Sequence, residues 1–177
     1  MALTKITGGG FGQGSIIQIK YFQLTTAQTE TYGTASASQA ITNFTVNITP
    51  TFSNSVFKLD AHLVYESANN PHSTMFFFFR DTTKLANTDS SPGNRIIGIS
   101  PGLTSLDGDN SSTLEQATVT YFDEPSTTSA IDYKLGVMSI TNNQFFINRT
   151  INDTNTDSFD RGVSFMSVTE IAGPKLT

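Results

Sequence analysis

The chain has no cysteine, which removes disulfides, thiol nucleophiles and Cys-based zinc sites at once. It is also poor in charge. Charged residues make up 14% of its 177 positions, against about 25% in ordinary soluble domains. The few charges sum to -5, with only ten Lys and Arg. A nucleic-acid partner needs a basic face that displaces counterions, and these residues do not make one. Apolar runs are far shorter than the ~18 residues of a spanning helix, so no membrane insertion is expected. "MALTKITGGG" has one Lys and no apolar core of its own, unlike a secretory leader.

Ser and Thr occupy the space that charge leaves. The chain has 19 Ser and 27 Thr, so its surface is polar but uncharged. Helical periodicity is absent: apolar residues do not recur at i, i+3, i+4, i+7 over three turns. Strand patterns recur instead, separated by turn clusters rich in Gly, Pro, Asn, Asp and Ser. Nine segments qualify: "SIIQIKYFQL", "ITNFTVNIT", "SVFKLDAHLVYE", "TMFFFFRD", "NRIIGIS", "TLEQATVTYFDE", "AIDYKLGVMSI", "QFFINRT" and "GVSFMSVTEIA". The third alternates most cleanly, with Phe57, Leu59, Ala61, Leu63 and Tyr65 on one face. Lys58, Asp60, His62 and Val64 fall on the other. Nine short strands without helices predict an all-β fold, an antiparallel β-sandwich of the jelly-roll kind. Residues 15–177 form this domain. Residues 1–14, with five glycines between Gly8 and Gly14, form an N-terminal tether or anchor.

Candidate chemistry is sparse. "GGFGQGS" has the glycine spacing of a phosphate loop, but Ser15 stands where that motif needs Lys. "DTNTDSFDRG" alternates Asp153, Asn155 and Asp157 as a calcium loop does, yet the sixth position is Ser158 instead of Gly. A solvated loop is the simpler reading, and no metal or cofactor is expected. His62 and His72 are the only histidines and lack metal-ligand spacing. No enzymatic activity is expected.

Phe76 to Phe79 stand in a row before Arg80 and Asp81. In a strand they alternate, so both faces are apolar. Two bare phenylalanines would approach the few hundred Å² that soluble monomers rarely expose. Tyr121–Phe122, Phe145–Phe146 and Phe165–Met166 repeat the pattern. Cover comes from other copies of the chain or from the chain itself. The first is preferred, with Phe76, Phe77, Phe78, Phe79, Arg80, Tyr121 and Phe146 at the contact of a closed cyclic oligomer.

"NITPTFSNSVFKLDAHLVYE", "FFFFRDTT", "VTYFDEPSTTSAIDYKLGV", "FFINRT" and "SFMSVTEIA" together resemble a family of phage C-terminal fibre domains. "MALTKI" is similar to the start of many marine phage structural proteins. The resemblance runs from about Ile41 to Ala172. It implies a trimeric jelly roll, similar to tumour-necrosis-factor-like domains, on the exterior of a phage particle as a tail-fibre or host-binding module. The short segment before the first strand also suits a capsid decoration, knob or head-fibre protein that recognises no receptor. A glycan-cleaving enzyme is a third, weaker reading. The N-terminal segment would join another virion protein. Polar loops would meet a host glycan or receptor, with Asn69, Asn70, His72, Asn152 and Asp157 as the contacts.

Overall fold

The computed structural model describes residues 12–32, 37–68, 74–86, 95–102, 111–140 and 143–174. Within them lie eleven strands and no helix: β1 (Ile16–Leu24), β2 (Gln28–Tyr32), β3 (Gln39–Ile48), β4 (Val56–Ser67), β5 (Thr74–Arg80), β6 (Thr83–Leu85), β7 (Ser100–Pro101), β8 (Glu115–Asp123), β9 (Ile131–Ser139), β10 (Asn143–Ile147) and β11 (Ser164–Ile171). The fold is an all-β antiparallel sandwich, as the alternation predicts.

The pairing is nested. β1 pairs with β11, β3 with β9, β4 with β8, and β5 with the short β6 and β7. First-with-last pairing of this kind is how a long hairpin wraps into a jelly roll. One sheet runs β8–β4–β11–β1, and β10 and β2 extend it along the far end of β4. The other runs β3–β9–β5 and ends on β6 and β7.

Burying one face of each sheet drives the packing. Phe57, Leu59, Ala61, Leu63 and Tyr65 of β4 all point between the sheets. They meet Phe76 and Phe78 of β5 and Tyr133 and Leu135 of β9. Tyr65, Phe76 and Phe145 form an aromatic cluster with ring centroids 5.5 to 6.3 Å apart. Each such side chain contributes about 1.5–3 kcal/mol by leaving water.

β3 breaks the simple alternation. Asn43 takes a left-handed φ of 68°, and the register with β9 slips between Ala40 and Thr45. Four residues of β3, 41–44, stand where β9 has only Leu135, an enlarged bulge that turns Ile41 onto the same inner face as Phe44, Val46 and Ile48.

Three strand expectations change. "NRIIGIS" pairs only at its end, through Ser100. β2 and β6 are additional. β2 reads "QTETY", with Glu30 and Tyr32 inward. Residues 1–11 of the expected tether lie outside the described residues. Gly14 already joins the fold, its N–H donating to the Ala172 carbonyl at 2.8 Å.

Candidate functional site

The two outer faces of the sandwich differ, and the difference decides what covers the four phenylalanines. Phe76 and Phe78 lie in the core. Phe77 and Phe79 point to the outer face of the β3–β9–β5 sheet. Phe77 is nevertheless fully buried. Directly opposite it in register stands Gly136. A Cβ at that glycine would fall 2.5 Å from the Phe77 ring. The ring therefore lies flat on bare backbone. Phe79 stacks edge-on at 5.2 Å, and the Lys84 ammonium sits 4.1 Å above the Phe77 centroid. A cation over a ring is worth about 0.5–1 kcal/mol at such partly exposed sites. The cover is the chain's own.

Of the residues expected at a subunit contact, Phe76 and Phe78 are corrected outright, and the others have partners within the chain. Phe76 and Phe78 are between the sheets and cannot face an axis. Phe77 needs no second subunit. Phe79 is half-buried beside it. Arg80 pairs inside the chain, with Nη1 2.9 and 3.1 Å from the two carboxylate oxygens of Asp123 on the opposite sheet. Tyr121 is turned toward the core margin. Phe146 is buried under the Arg149 guanidinium, 4.4 Å from its ring. The back-to-back pattern is real, but short-range partners satisfy both sides. Register reveals them: Gly136 and Asp123 are distant in sequence, and Lys84 returns beside Phe77 across the β5–β6 hairpin.

The other outer face, on β8–β4–β11–β1, has no cover from the described residues. Register sorts it into rows. Gln23, Phe165, His62 and Thr118 form one; Tyr21, Ser167, Asp60 and Thr120 the next; Ile19, Thr169, Lys58 and Phe122 a third. Tyr21 is 75% exposed, Phe122 58%, Ile19 54% and Phe165 41%. A shallow groove of about 490 Å³ opens among Asp60, His62, Thr118, Phe165 and Ser167. The His62 and Phe165 rings lie 5.7 Å apart. Alternation places one ring of each aromatic pair outward without saying which, and the outward member at the end of β8 is Phe122, not the expected Tyr121; Tyr21 and Ile19 were not legible, since β1 shows no clean period.

Asp60, His62 and Ser167 share this face, yet no hydrogen bond joins them among the described residues. Asp60 is held by Lys58 at 2.8 Å and by the Thr120 hydroxyl at 2.9 Å. A nucleophilic triad needs its base linked on both sides, and this carboxylate is already occupied.

The buried acids serve the scaffold. Glu170 accepts from Gln18, from the Thr51 amide and from the Thr51 and Ser55 hydroxyls, all at 2.6–2.9 Å. It thereby ties β1 and the β3–β4 loop to β11. Asp123 accepts from Arg80 and from the Tyr133 hydroxyl at 2.7 Å. Burial, together with this hydrogen bond, holds the Tyr133 phenol well above its ordinary range.

The segment between β10 and β11, residues 148–163, is a long displayed loop with a fixed base. Asn148, at a left-handed φ of 59°, donates through Nδ2 to the Leu24 and Thr26 carbonyls at 2.7 and 3.1 Å. Its Oδ1 accepts from the Ser164 hydroxyl at 2.6 Å. Arg149 and Arg161 bridge across the neck. Both guanidiniums contact Asp153, at 3.4 and 2.7 Å. Asp153 is thus an internal counter-ion at the neck. Gly162 lies on Val64; any Cβ there would come within 2.5 Å of Val64 Cγ1. Beyond the neck, residues 152–158 are exposed, including the expected contacts Asn152 and Asp157. Asn69, Asn70 and His72 lie outside the described residues.

No family model matches the chain. No curated protein matches its sequence. Among solved structures it is similar to infectious bursal disease virus Gt strain at 12% identity, over 91% of this chain and 44% of that one, with a TM-score of 0.40. The VP2 subviral particle of the same virus matches at 12% identity, 90% and 43% coverage and a TM-score of 0.36. The chain spans less than half the length of these solved chains. Likeness this distant carries no function from those proteins to this one.

Proposed function

We propose that the chain is a virion protein of a phage, a jelly-roll module on the exterior of the particle that works by binding and not by catalysis. The single observation that carries this reading is the loop of residues 148–163. Its neck is locked by Asn148, Arg149, Arg161 and Asp153, and its tip is fully displayed. A rigid scaffold with an exposed, polar loop is the usual arrangement of a recognition surface. Thr154, Asn155, Thr156 and Ser158 present hydroxyls and an amide beside Asn152 and Asp157. Such groups exchange hydrogen bonds with sugar hydroxyls without asking for charge. A neutral host glycan is therefore the proposed ligand class. The sequence resemblance to phage fibre domains supports the same setting.

A competition assay tests it. Purified protein added in excess to host cells should reduce adsorption of particles that carry it. The Asn152→Ala, Asp157→Ala double variant should compete less well. Unchanged adsorption at saturating protein would remove the receptor-binding reading and leave decoration of the particle, which the uncovered β8–β4–β11–β1 face favours.

A further inference from the structure

We infer that copies of this chain associate through the outer face of the β8–β4–β11–β1 sheet, packing Tyr21, Ile19, Phe122 and Phe165 against a second copy. The contrast between the two outer faces is the first ground. On β3–β9–β5 the chain hides its aromatic rings with Gly136, Phe79 and Lys84. On this face it leaves four large apolar side chains open. Exposed apolar patches on that scale mark interaction sites.

Geometry selects the occupant. Tyr21 and Phe122 stand on the two outermost strands, three strand spacings or about 14 Å apart. That span exceeds one sugar ring. A flat macromolecular surface fits better. Nine residues of strand by four strands give a face of about 570 Å². Two copies would bury about 1,100 Å², close to the roughly 1,200 Å² at which specific interfaces begin. An area at this lower bound belongs to the weak, transient class of contacts.

Charge points to self-pairing. Lys58 and Asp60 lie two residues apart on the outward face of β4, near the middle of the sheet. A two-fold axis lying in the contact plane, across the strands and level with Leu59, runs the two β4 strands in opposite directions, so that the Lys58–Asp60 pair within each chain exchanges for pairs between copies. Lys58 of each copy then meets Asp60 of the other. The contact is self-complementary, as an isologous interface requires, and the pairing sets register.

Sedimentation of the full chain from low to hundreds of micromolar tests this, independently of whether the particle-surface reading holds. The mass should rise from 19.2 kDa to a multiple of it. The Tyr21→Ser, Phe165→Ser double variant, with an unchanged β spectrum, should stay at 19.2 kDa. Ile140→Ser, an exposed apolar residue off this face, should associate as the wild type does. Lys58→Asp should weaken association about tenfold, and adding Asp60→Lys should restore it. A wild-type mass fixed at 19.2 kDa throughout would overturn the inference. So would association that survives both Tyr21→Ser, Phe165→Ser and Lys58→Asp.

Discussion

Arg80 reaches across the sandwich to Asp123, and its Nη1 sits 2.9 Å from one carboxylate oxygen and 3.1 Å from the other. The contact ties the end of β5 in one sheet to the end of β8 in the other. Tyr133 of β9 donates to the same carboxylate at 2.7 Å. Three strands thus converge on one anion. Nearby, Asp81 takes a left-handed φ of 54° and its Oδ1 accepts from the Asp132 amide at 3.0 Å. The two charges after the phenylalanine run are therefore both used to close this end of the fold.

Asp123→Ala should test that clamp. It leaves the Arg80 guanidinium and the Tyr133 hydroxyl without their shared acceptor. Removing one member of a largely buried pair costs about 3–5 kcal/mol, and the partial exposure of Arg80 places this case near 3. Urea unfolding should show the loss. Asp123→Asn, which keeps an acceptor for Tyr133, should lose less. Equal losses in the two variants would mean that the tyrosine contributes nothing.

The phenylalanine run gives a second test. Phe77→Ala should destabilise each chain by about 3–5 kcal/mol, as deletion of a buried ring does. It should leave the mass in solution unchanged, because the ring is covered from within. Gly136→Ala should cost about 1–3 kcal/mol by overpacking against the same ring. A Phe77→Ala variant that folds normally but shifts from assembled to single chains would restore that face to a subunit contact.

Alkaline pH supplies a third. Burial, aided by neighbouring carboxylates, raises the phenols of Tyr32, Tyr65 and Tyr133 above their ordinary value of 10.0. Above about pH 10 the unfolded chain releases these protons while the folded chain keeps them, so stability must fall as pH rises. Three phenols give a slope of up to about 4 kcal/mol per pH unit. Lys84, lowered by burial, opposes this only up to 10.5, its ordinary value. Phenolate absorbance from Tyr32, Tyr65 and Tyr133 should therefore appear together with unfolding. Titration of all five tyrosines within a folded chain would contradict the burial.

Most of the architecture was readable from the residues, because burying one face imposes period-2 alternation. β4 shows this best: every one of Phe57, Leu59, Ala61, Leu63 and Tyr65 is inward, and Lys58, Asp60, His62 and Val64 are outward. β2 was hidden because its inward positions include Glu30, a buried acid that reads as solvent-facing. The β3 bulge was hidden because it depends on one left-handed Asn43. The site was less legible. Asn152 and Asp157 are on a displayed loop, as their polarity implies. The cover over Phe77 could not be read, since it depends on a glycine 59 positions away in sequence that register alone brings opposite. Nor could the lock of Asn148 onto the backbone after β1.

We propose that this jelly roll stands on the outside of a virus particle. Electron microscopy of intact particles labelled with gold-tagged antibody to the folded domain tests it most directly. The account predicts gold on the outer surface, at the tail tip if the loop of residues 148–163 meets a receptor. Intact particles that stay bare, while disrupted ones bind the antibody or contain none of the protein, would contradict it.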